Sequence, residues 1–217
     1  MQAANSGADV KYAEAVAEVI RRCWSLGVFV QLSPKEVIDI GDGVPCSGYF
    51  DDEHDLPVLA VATGKPEQDW LKVLLHEYGH ASQWAEQCPC WIRSKKAANW
   101  IEWLEGKPVK GIAEAIEAAR EVEADCERRT IRLIKELGVD IDIESYTRAA
   151  NAYVHFYNLM ATHRAWFAKG KAPYNVPEVL AAANPTMDKD FSKTPRQLLI
   201  ELAKCLEPKN NNKKAKG

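Results

Sequence analysis

The sequence lacks any run of apolar residues long enough to cross a bilayer. Its first residues, M-Q-A-A-N-S-G-A-D, have neither the basic nor the apolar region of a signal peptide. Basic residues are not in excess, since the formal net charge is -3, and a nucleic-acid-binding domain would want a basic face. We therefore expect a cytoplasmic protein with no membrane and no nucleic-acid partner.

The cysteines are spread through the chain and are not arranged in a C-x-x-C pattern. Cys88 and Cys90 are separated by a single residue, too close for a zinc knuckle, and no second pair lies nearby. In the absence of a secretion signal, reduced thiols with structural roles are expected. The six cysteines are Cys23, Cys46, Cys88, Cys90, Cys126 and Cys205.

The composition is that of an ordinary globular protein. Hydrophobic residues make up 47% and charged residues 27% of 217 residues, which is enough apolar material for a real core. We expect one domain over residues 1–206, followed by a polar, basic and disordered tail over 207–217. The fold class predicted is α+β, mainly helical, with a small mixed or antiparallel sheet.

Hydrophobic periodicity and turn residues locate the elements. Pro57, near the start of the strongest strand candidate, predicts that this strand lies at a sheet edge, because proline cannot donate to a ladder. Helices are predicted over 9–25, from 67–69 to 86 or 87, and over 109–137, 145–169, 177–183 and 195–206. Strands are predicted over 28–32, 37–40 and 56–63, with a turn at Gly41–Gly43.

The helix predicted from residue 67 contains H-E-x-x-H, formed by His76, Glu77, Tyr78, Gly79 and His80. Residues four apart lie on one face of a helix, so both imidazoles can reach the same ion. This is a zinc-ligand spacing, with Glu77 beside the metal as a candidate general base. A catalytic zinc site needs a third protein ligand, which this helix does not supply.

Residues 120–129, R-E-V-E-A-D-C-E-R-R, are the best source of that third ligand. Two registers compete: Glu121 with Asp125, or Glu123 with Glu127, one helical turn apart in each case. Helical geometry places Glu121 on the polar face and Glu123 beside the apolar face, which favours Glu123 modestly. Both glutamates stay candidates. A run of glutamates and arginines is also typical of a solvated helix face.

H-E-Y-G-H in an apolar helix, followed by E-x-E-A-D on a later helix, resembles zincin metallopeptidases of the gluzincin type. The further pattern E-x-D-C-E-R-R and then A-N-A-Y is similar to phage-encoded proteins with a metallopeptidase-like core. The resemblance covers about Leu56 to Tyr157. The metzincin extension is absent, because Gln83 and Glu86 stand where it has glycine and histidine.

The resemblance implies a zincin-like core with Zn²⁺, a ligand-bearing second helix and hydrolysis of peptide bonds in an intracellular protein or peptide substrate. Zinc held by His76, His80 and a helix glutamate would polarise the substrate carbonyl, with Glu77 as general base. Tyr153 and His155 are candidate donors to the oxyanion. Each is also compatible with an ordinary structural role.

Two other interpretations stay open. A zincin-fold protein that sequesters a partner without catalysis would use the tryptophan-rich segment Trp84 to Trp103 and the acidic residues 51–55 as an interaction surface. A binding protein has no need of Glu77, however, so the presence of Glu77 favours an enzyme. A helical protein with a chance H-E-x-x-H is the third interpretation. Tryptophans in such a segment most often serve packing.

Overall fold

The computed structural model describes residues 6–39, 45–53 and 55–206, with side chains from residue 11 onward. The predicted turn at Gly41–Gly43, His54 and the predicted tail 207–217 lie outside the described residues. The chain divides into two compact units: residues 1–92 with 125–143, and residues 93–124 with 144–217. The prediction of a single domain over 1–206 stays a prediction.

The described residues are mainly helical with a small mixed sheet, which confirms the predicted α+β class. The helices are α1 (Ser6–Ser25), α2 (Glu67–Glu86), α3 (Pro89–Lys96), α4 (Trp100–Leu104), α5 (Ile112–Leu137), α6 (Ile143–His163), α7 (Pro177–Ala182) and α8 (Arg196–Ala203). The strands are β1 (Phe29–Ser33), β2 (Ile38–Asp39), β3 (Pro45–Cys46), β4 (Gly48–Asp51) and β5 (Val58–Ala62). A 3-10 turn covers Pro173–Asn175.

Three strands of the first unit form a sheet in the order β1-β5-β4. β5 pairs parallel to β1 and antiparallel to β4. The prediction that this strand lies at the edge is therefore wrong. Pro57 precedes β5 and enters the pairing only as an acceptor, its carbonyl oxygen lying 2.8 Å from the amide nitrogen of Phe29. The missing proline N–H thus costs the ladder nothing, and β1 and β4 are the two edge strands of the described sheet.

α2 packs against α1, β4 and β5 in the first unit. Its buried apolar side chains recur at helical spacing, at Leu71, Leu74, Leu75 and Ala81. Acidic residues Glu67 and Asp69 occupy its first turn, where they complement the helix dipole. The helix is capped by Gln87, which adopts the left-handed conformation with φ 49°. The predicted bounds of this helix are confirmed.

α5 is the longest helix of the described chain, and Gly138, with φ 61°, follows it as the predicted stop. Its part from Asp125 onward belongs to the first unit and its earlier part to the second. The side chain of Glu136 near its end accepts a hydrogen bond from Arg22 of α1 at 2.6 Å. One continuous helix thus supplies residues to both cores.

The second unit is built on α6, whose buried face is mostly apolar and aromatic. Phe156, Leu159 and Met160 are fully covered, with α7 and α8 contributing Val179 and Leu198. α6 ends at His163 rather than at the predicted Lys169, because Arg164 turns into the left-handed region with φ 48°. The guanidinium of Arg164 is held by backbone carbonyls of Trp103 and Lys107.

The tryptophan-rich segment Trp84 to Trp103 serves two different structures. Trp100 and Trp103, on α4, pack against the core of the second unit. Trp84 and Trp91 belong to the first unit, where both rings lie within 6 Å of Phe50. Packing in the core of the second unit therefore explains two of the four tryptophans in this segment. None of the helices in the described part of the chain combines the length and apolar character that crossing a membrane requires.

Candidate metal centre

His76 and His80 lie one turn apart on α2, and their rings meet edge to face with centroids 4.8 Å apart. The prediction that both imidazoles lie on one helix face is confirmed. Glu77, between them in sequence, is largely buried, with 8% of its surface exposed. All three residues of the motif therefore lie on one helix that is anchored in the core of the first unit.

Cys126 of α5 is the residue that sequence reasoning missed. Its Sγ donates to the carbonyl oxygen of His76 at 3.1 Å and lies 3.7 Å from Nδ1 of the same residue. Ligand atoms of His76, His80 and Cys126 all lie within 4.8 Å of one another. The sequence had indicated only a structural role for this cysteine. Its position in D-C-E-R-R, beside the predicted ligand-bearing glutamates, was the only available signal.

Gly79 allows α5 to approach α2 this closely. A Cβ at Gly79 would lie 2.7 Å from Sγ of Cys126 and 3.3 Å from both the Cys126 carbonyl oxygen and Oγ1 of Thr130. The contact with sulfur is far inside van der Waals distance, so any larger residue would push the helices apart. The glycine of H-E-Y-G-H is thus explained by packing, and the packing brings Cys126 to the histidines.

Each histidine has a polar partner at Nδ1. Oε1 of Glu127, on α5, lies 3.3 Å from Nδ1 of His76. Oε1 of Gln83, a fully buried residue, lies 2.9 Å from Nδ1 of His80. Partners at Nδ1 fix the orientation of a ligating imidazole. Glu127 is the residue that the Glu123 register places one turn later, in the orienting position.

The electrostatics at His76 favour positive charge. Burial alone disfavours the imidazolium, but Cys126 and Glu127 outweigh it and raise the pKa of His76 well above its ordinary value. Histidine ligates a metal in its neutral form, so an ion bound at His76 would have to displace this proton. The donor set of two imidazoles and one sulfur suits zinc, which binds nitrogen and sulfur readily.

β4 and an aromatic group adjoin the motif. Gly48 of β4 lies so close to α2 that a Cβ there would sit 2.6 Å from Val73 and 3.4 Å from Cγ of Glu77. Phe50 of β4 contacts Trp84 and Trp91, and the Trp91 ring lies 6.3 Å from that of His80. The motif is therefore flanked by a strand at the edge of the described sheet and by an apolar aromatic group.

Glu121 and Glu123, the predicted third ligands, belong to the second unit, and their role as ligands stays a prediction. Within that unit, Glu121 is half exposed and pairs with Arg93 at 2.7 Å. Glu123 lies by the two tyrosines of α6: burial first, and then its charge, raise the pKa values of Tyr153 and Tyr157 well above the ordinary range. Glu121 is thus part of a surface ion pair.

The candidate oxyanion donors lie in the second unit as well. The hydroxyl oxygens of Tyr153 and Tyr157 are 3.2 Å apart. His155 is fully buried, with Nε2 3.0 Å from Oδ2 of Asp188 and its ring 4.7 Å from that of Phe191. Burial lowers the pKa of His155, although Asp188 opposes this. These are the contacts of a core histidine.

The chain was compared with models of protein families, with curated proteins and with solved structures, and none of these comparisons found a match. Any function assigned to the chain therefore depends on the site itself.

Proposed function

We propose that the protein is a zinc-dependent peptidase with a zincin-like core of the gluzincin type. The observation that carries the proposal is the convergence of His76, His80 and Cys126, with Glu77 on the same helix as the two histidines. A structural zinc site usually has four protein ligands, whereas three protein ligands leave a position for water and substrate. A buried carboxylate beside two ligating residues is the arrangement that metal-assisted hydrolysis uses.

Zinc bound at this position would polarise a substrate carbonyl and lower the pKa of a water molecule to about 7. The chain's own residues handle the protons. Glu77 accepts a proton from the attacking water and then donates it to the leaving amine nitrogen as the peptide C–N bond breaks. Its burial next to Gly48 of β4 keeps bulk water from competing for that proton.

β4 is the element best suited to hold the substrate. An extended peptide can add to a sheet edge through main-chain hydrogen bonds, with alternate side chains read by neighbouring surfaces. Phe50, Trp84 and Trp91 lie beside this edge and offer an apolar surface. We therefore propose an extended protein or peptide segment as substrate, with a large apolar side chain next to the cleaved bond.

The third ligand is proposed to be Cys126, the donor that the first unit itself brings to the histidines. The two glutamates predicted from sequence provide the competing assignment. Cobalt substitution separates them, because a thiolate ligand gives an intense near-ultraviolet charge-transfer band and a carboxylate does not. Cys88 and Cys90 are first replaced by serine, so that these neighbouring thiols contribute no band; we then expect the band in this protein and its loss when Cys126→Ser is added. A cobalt protein without the band that loses its metal in Glu123→Gln would assign the glutamate instead.

Hydrolysis is tested with a peptide library, because the substrate is defined only by class. Reduced protein purified without chelator is incubated with the library, and new termini are identified by mass spectrometry. We expect cleavage that a zinc chelator abolishes and that added Zn²⁺ restores. Zinc-loaded protein that generates no new termini, or cleavage that is indifferent to chelation, would contradict the proposal.

A further inference from the structure

A second group of metal-ligating side chains lies in the first unit. Sγ of Cys88 and Sγ of Cys90 are 3.1 Å apart, and a carboxylate oxygen of Asp125 completes a set in which all ligand atoms lie within 4.8 Å of one another. In the sequence, the two cysteines have no further pair to complete a site. The fold supplies the missing donor, Asp125, from α5, which comes later in the chain.

We propose that Cys88, Cys90 and Asp125 form a second zinc site, separate from the one at His76 and His80. Two thiolates select thiophilic ions such as zinc, and a carboxylate is an accepted third zinc ligand. A fourth position is left for water, which completes a tetrahedral site. Loading releases the two thiol protons to solvent as the two Zn–S bonds form.

The local backbone brings the two thiols together. After α2 ends, Gln87 in its left-handed conformation reverses the chain, and the amide of Cys88 donates to the carbonyl oxygen of Gln83 at 3.2 Å. Pro89 then starts α3, so both cysteines lie at the N-terminal end of that helix. The turn and the start of α3 therefore hold the two thiols side by side.

A buried side chain orients the donors. Gln83, fully buried, donates from Nε2 to Oδ2 of Asp125 at 2.9 Å and lies 3.8 Å from Sγ of Cys90. Amide donors of this kind fix ligating carboxylates and stabilise ligating sulfur. Arg129 binds the same oxygen of Asp125 at 2.7 Å, but its charge is shared with Glu86 at 2.8 Å. A carboxylate with two oxygens can accept these bonds and a metal together.

Accessibility distinguishes this group from the two fully buried cysteines Cys23 and Cys205. Cys88, Cys90 and Asp125 are half-buried, so an ion can enter from solvent. Cys23 and Cys205 are fully buried, as structural thiols are. The site is thus enclosed enough to order its ligands and open enough to exchange its ion.

The test uses full-length reduced protein, Zn²⁺ for stoichiometry and Cd²⁺ for the thiolate absorption band. We expect the wild-type chain to retain two ions. The His76→Ala/His80→Ala variant should lose one ion and keep a cadmium–thiolate band, whereas Cys88→Ser/Cys90→Ser should keep the ion at the histidines. Cys46→Ser, a change at another half-buried cysteine, should retain both ions and serve as the matched control.

Alkylation of the wild-type protein, mapped cysteine by cysteine, gives a readout that needs no variant to fold. Zn²⁺ should strongly slow the alkylation of Cys88 and Cys90 and leave that of Cys46 unchanged. Saturation of the wild-type chain with one ion that His76→Ala/His80→Ala loses, or equal alkylation of Cys88 and Cys90 with and without Zn²⁺, would overturn the proposal. So would a block of both thiols that only a reductant relieves, since that is a disulfide. None of these results affects the assignment of His76 and His80.

Discussion

His76 in the first unit and His155 in the second are both paired with a carboxylate, yet their surroundings differ. Nδ1 of His76 faces Glu127 and lies near a thiol, with a second histidine one turn away. His155 has Asp188 on one side and the Phe191 ring against it. Among the described residues of its unit, no three histidine, cysteine or carboxylate side chains lie close enough together to hold a metal ion. A histidine–carboxylate pair alone therefore does not make a functional site. Convergence of further donors does.

The same difference appears in the pKa values. Cys126 and Glu127 overcome the effect of burial and raise the pKa of His76, whereas burial prevails over Asp188 and lowers the pKa of His155. The first environment is suited to a cation and the second to a neutral ring. Substitutions at these two histidines and at their neighbours test whether the two environments differ in this way.

The largest effect is expected from removal of the paired imidazoles. His76→Ala or His80→Ala should abolish hydrolysis and zinc binding at the histidine site, because two of its three donors are on α2. His155→Gln should cost about 1–3 kcal/mol of stability through the buried polar contact with Asp188 while zinc is retained. Elemental analysis and urea unfolding measure the two quantities. His163→Ala, at an exposed site, is the neutral control.

Loss of zinc in His155→Gln, with the fold intact by circular dichroism, would break the contrast between the two units. If both α2 variants kept the full wild-type zinc content, His76 and His80 would not be zinc ligands.

Gly79→Ala should destabilise the protein by about 1–3 kcal/mol and weaken zinc binding, because the new methyl group overlaps Sγ of Cys126. The second change Cys126→Ala removes that sulfur. In a double-mutant cycle we therefore expect part of the stability to return, with a coupling free energy of about 0.5–3 kcal/mol. Urea unfolding of the metal-free proteins gives all four values. Strict additivity would show that α2 and α5 do not meet at Gly79.

The pH dependence of stability should differ between wild type and His155→Gln. The folded-state pKa of His155 is lowered, so its contribution is full above the unfolded value of about 6.5 and is lost as pH falls through the folded value. The glutamine side chain of the variant does not titrate, and we expect a flatter stability profile below pH ~6.5. Unfolding of metal-free protein at a series of pH values checks this. Parallel profiles would contradict the assignment.

The smallest effect is expected at Glu121. Its ion pair with Arg93 is half exposed, so Glu121→Gln should change stability by less than about 1 kcal/mol and leave the zinc content unchanged. Glu117→Gln, at the other carboxylate that Arg93 binds, is the matched control. If Glu121→Gln alone lost zinc, the Glu121–Asp125 register would be the ligating one.

The part of the site that lies on one helix was predictable from sequence. Helical periodicity fixes the spacing of His76 and His80, and acidic residues and Gln87 bound α2 at its ends. The second helix, α5, was also predictable, as was its role as the best source of a third ligand. Which of its side chains reaches the histidines was not, because that depends on how closely α5 packs on α2. Gly79 allows the short distance between the helices, but the sequence does not indicate which residue of another helix packs against a single glycine.

The strand order could not be predicted for a related reason. Pro57 correctly indicates a position without a donated ladder bond, but that position is the residue before β5, and pairing on both sides of β5 begins one residue later. β4 was missed because G-Y-F-D is short and followed by acidic residues. Long-range pairing, rather than local propensity, makes it a strand.

The most direct test of the central proposal compares wild-type protein with Glu77→Gln under identical zinc loading. The substituted amide keeps the shape of the side chain and cannot accept the proton from water. We predict equal zinc content in the two proteins and a loss of hydrolysis of about 10²–10⁴-fold in the variant. A Glu77→Gln protein that cleaves the peptide library as fast as wild type, or wild-type protein that binds no zinc, would contradict the proposal.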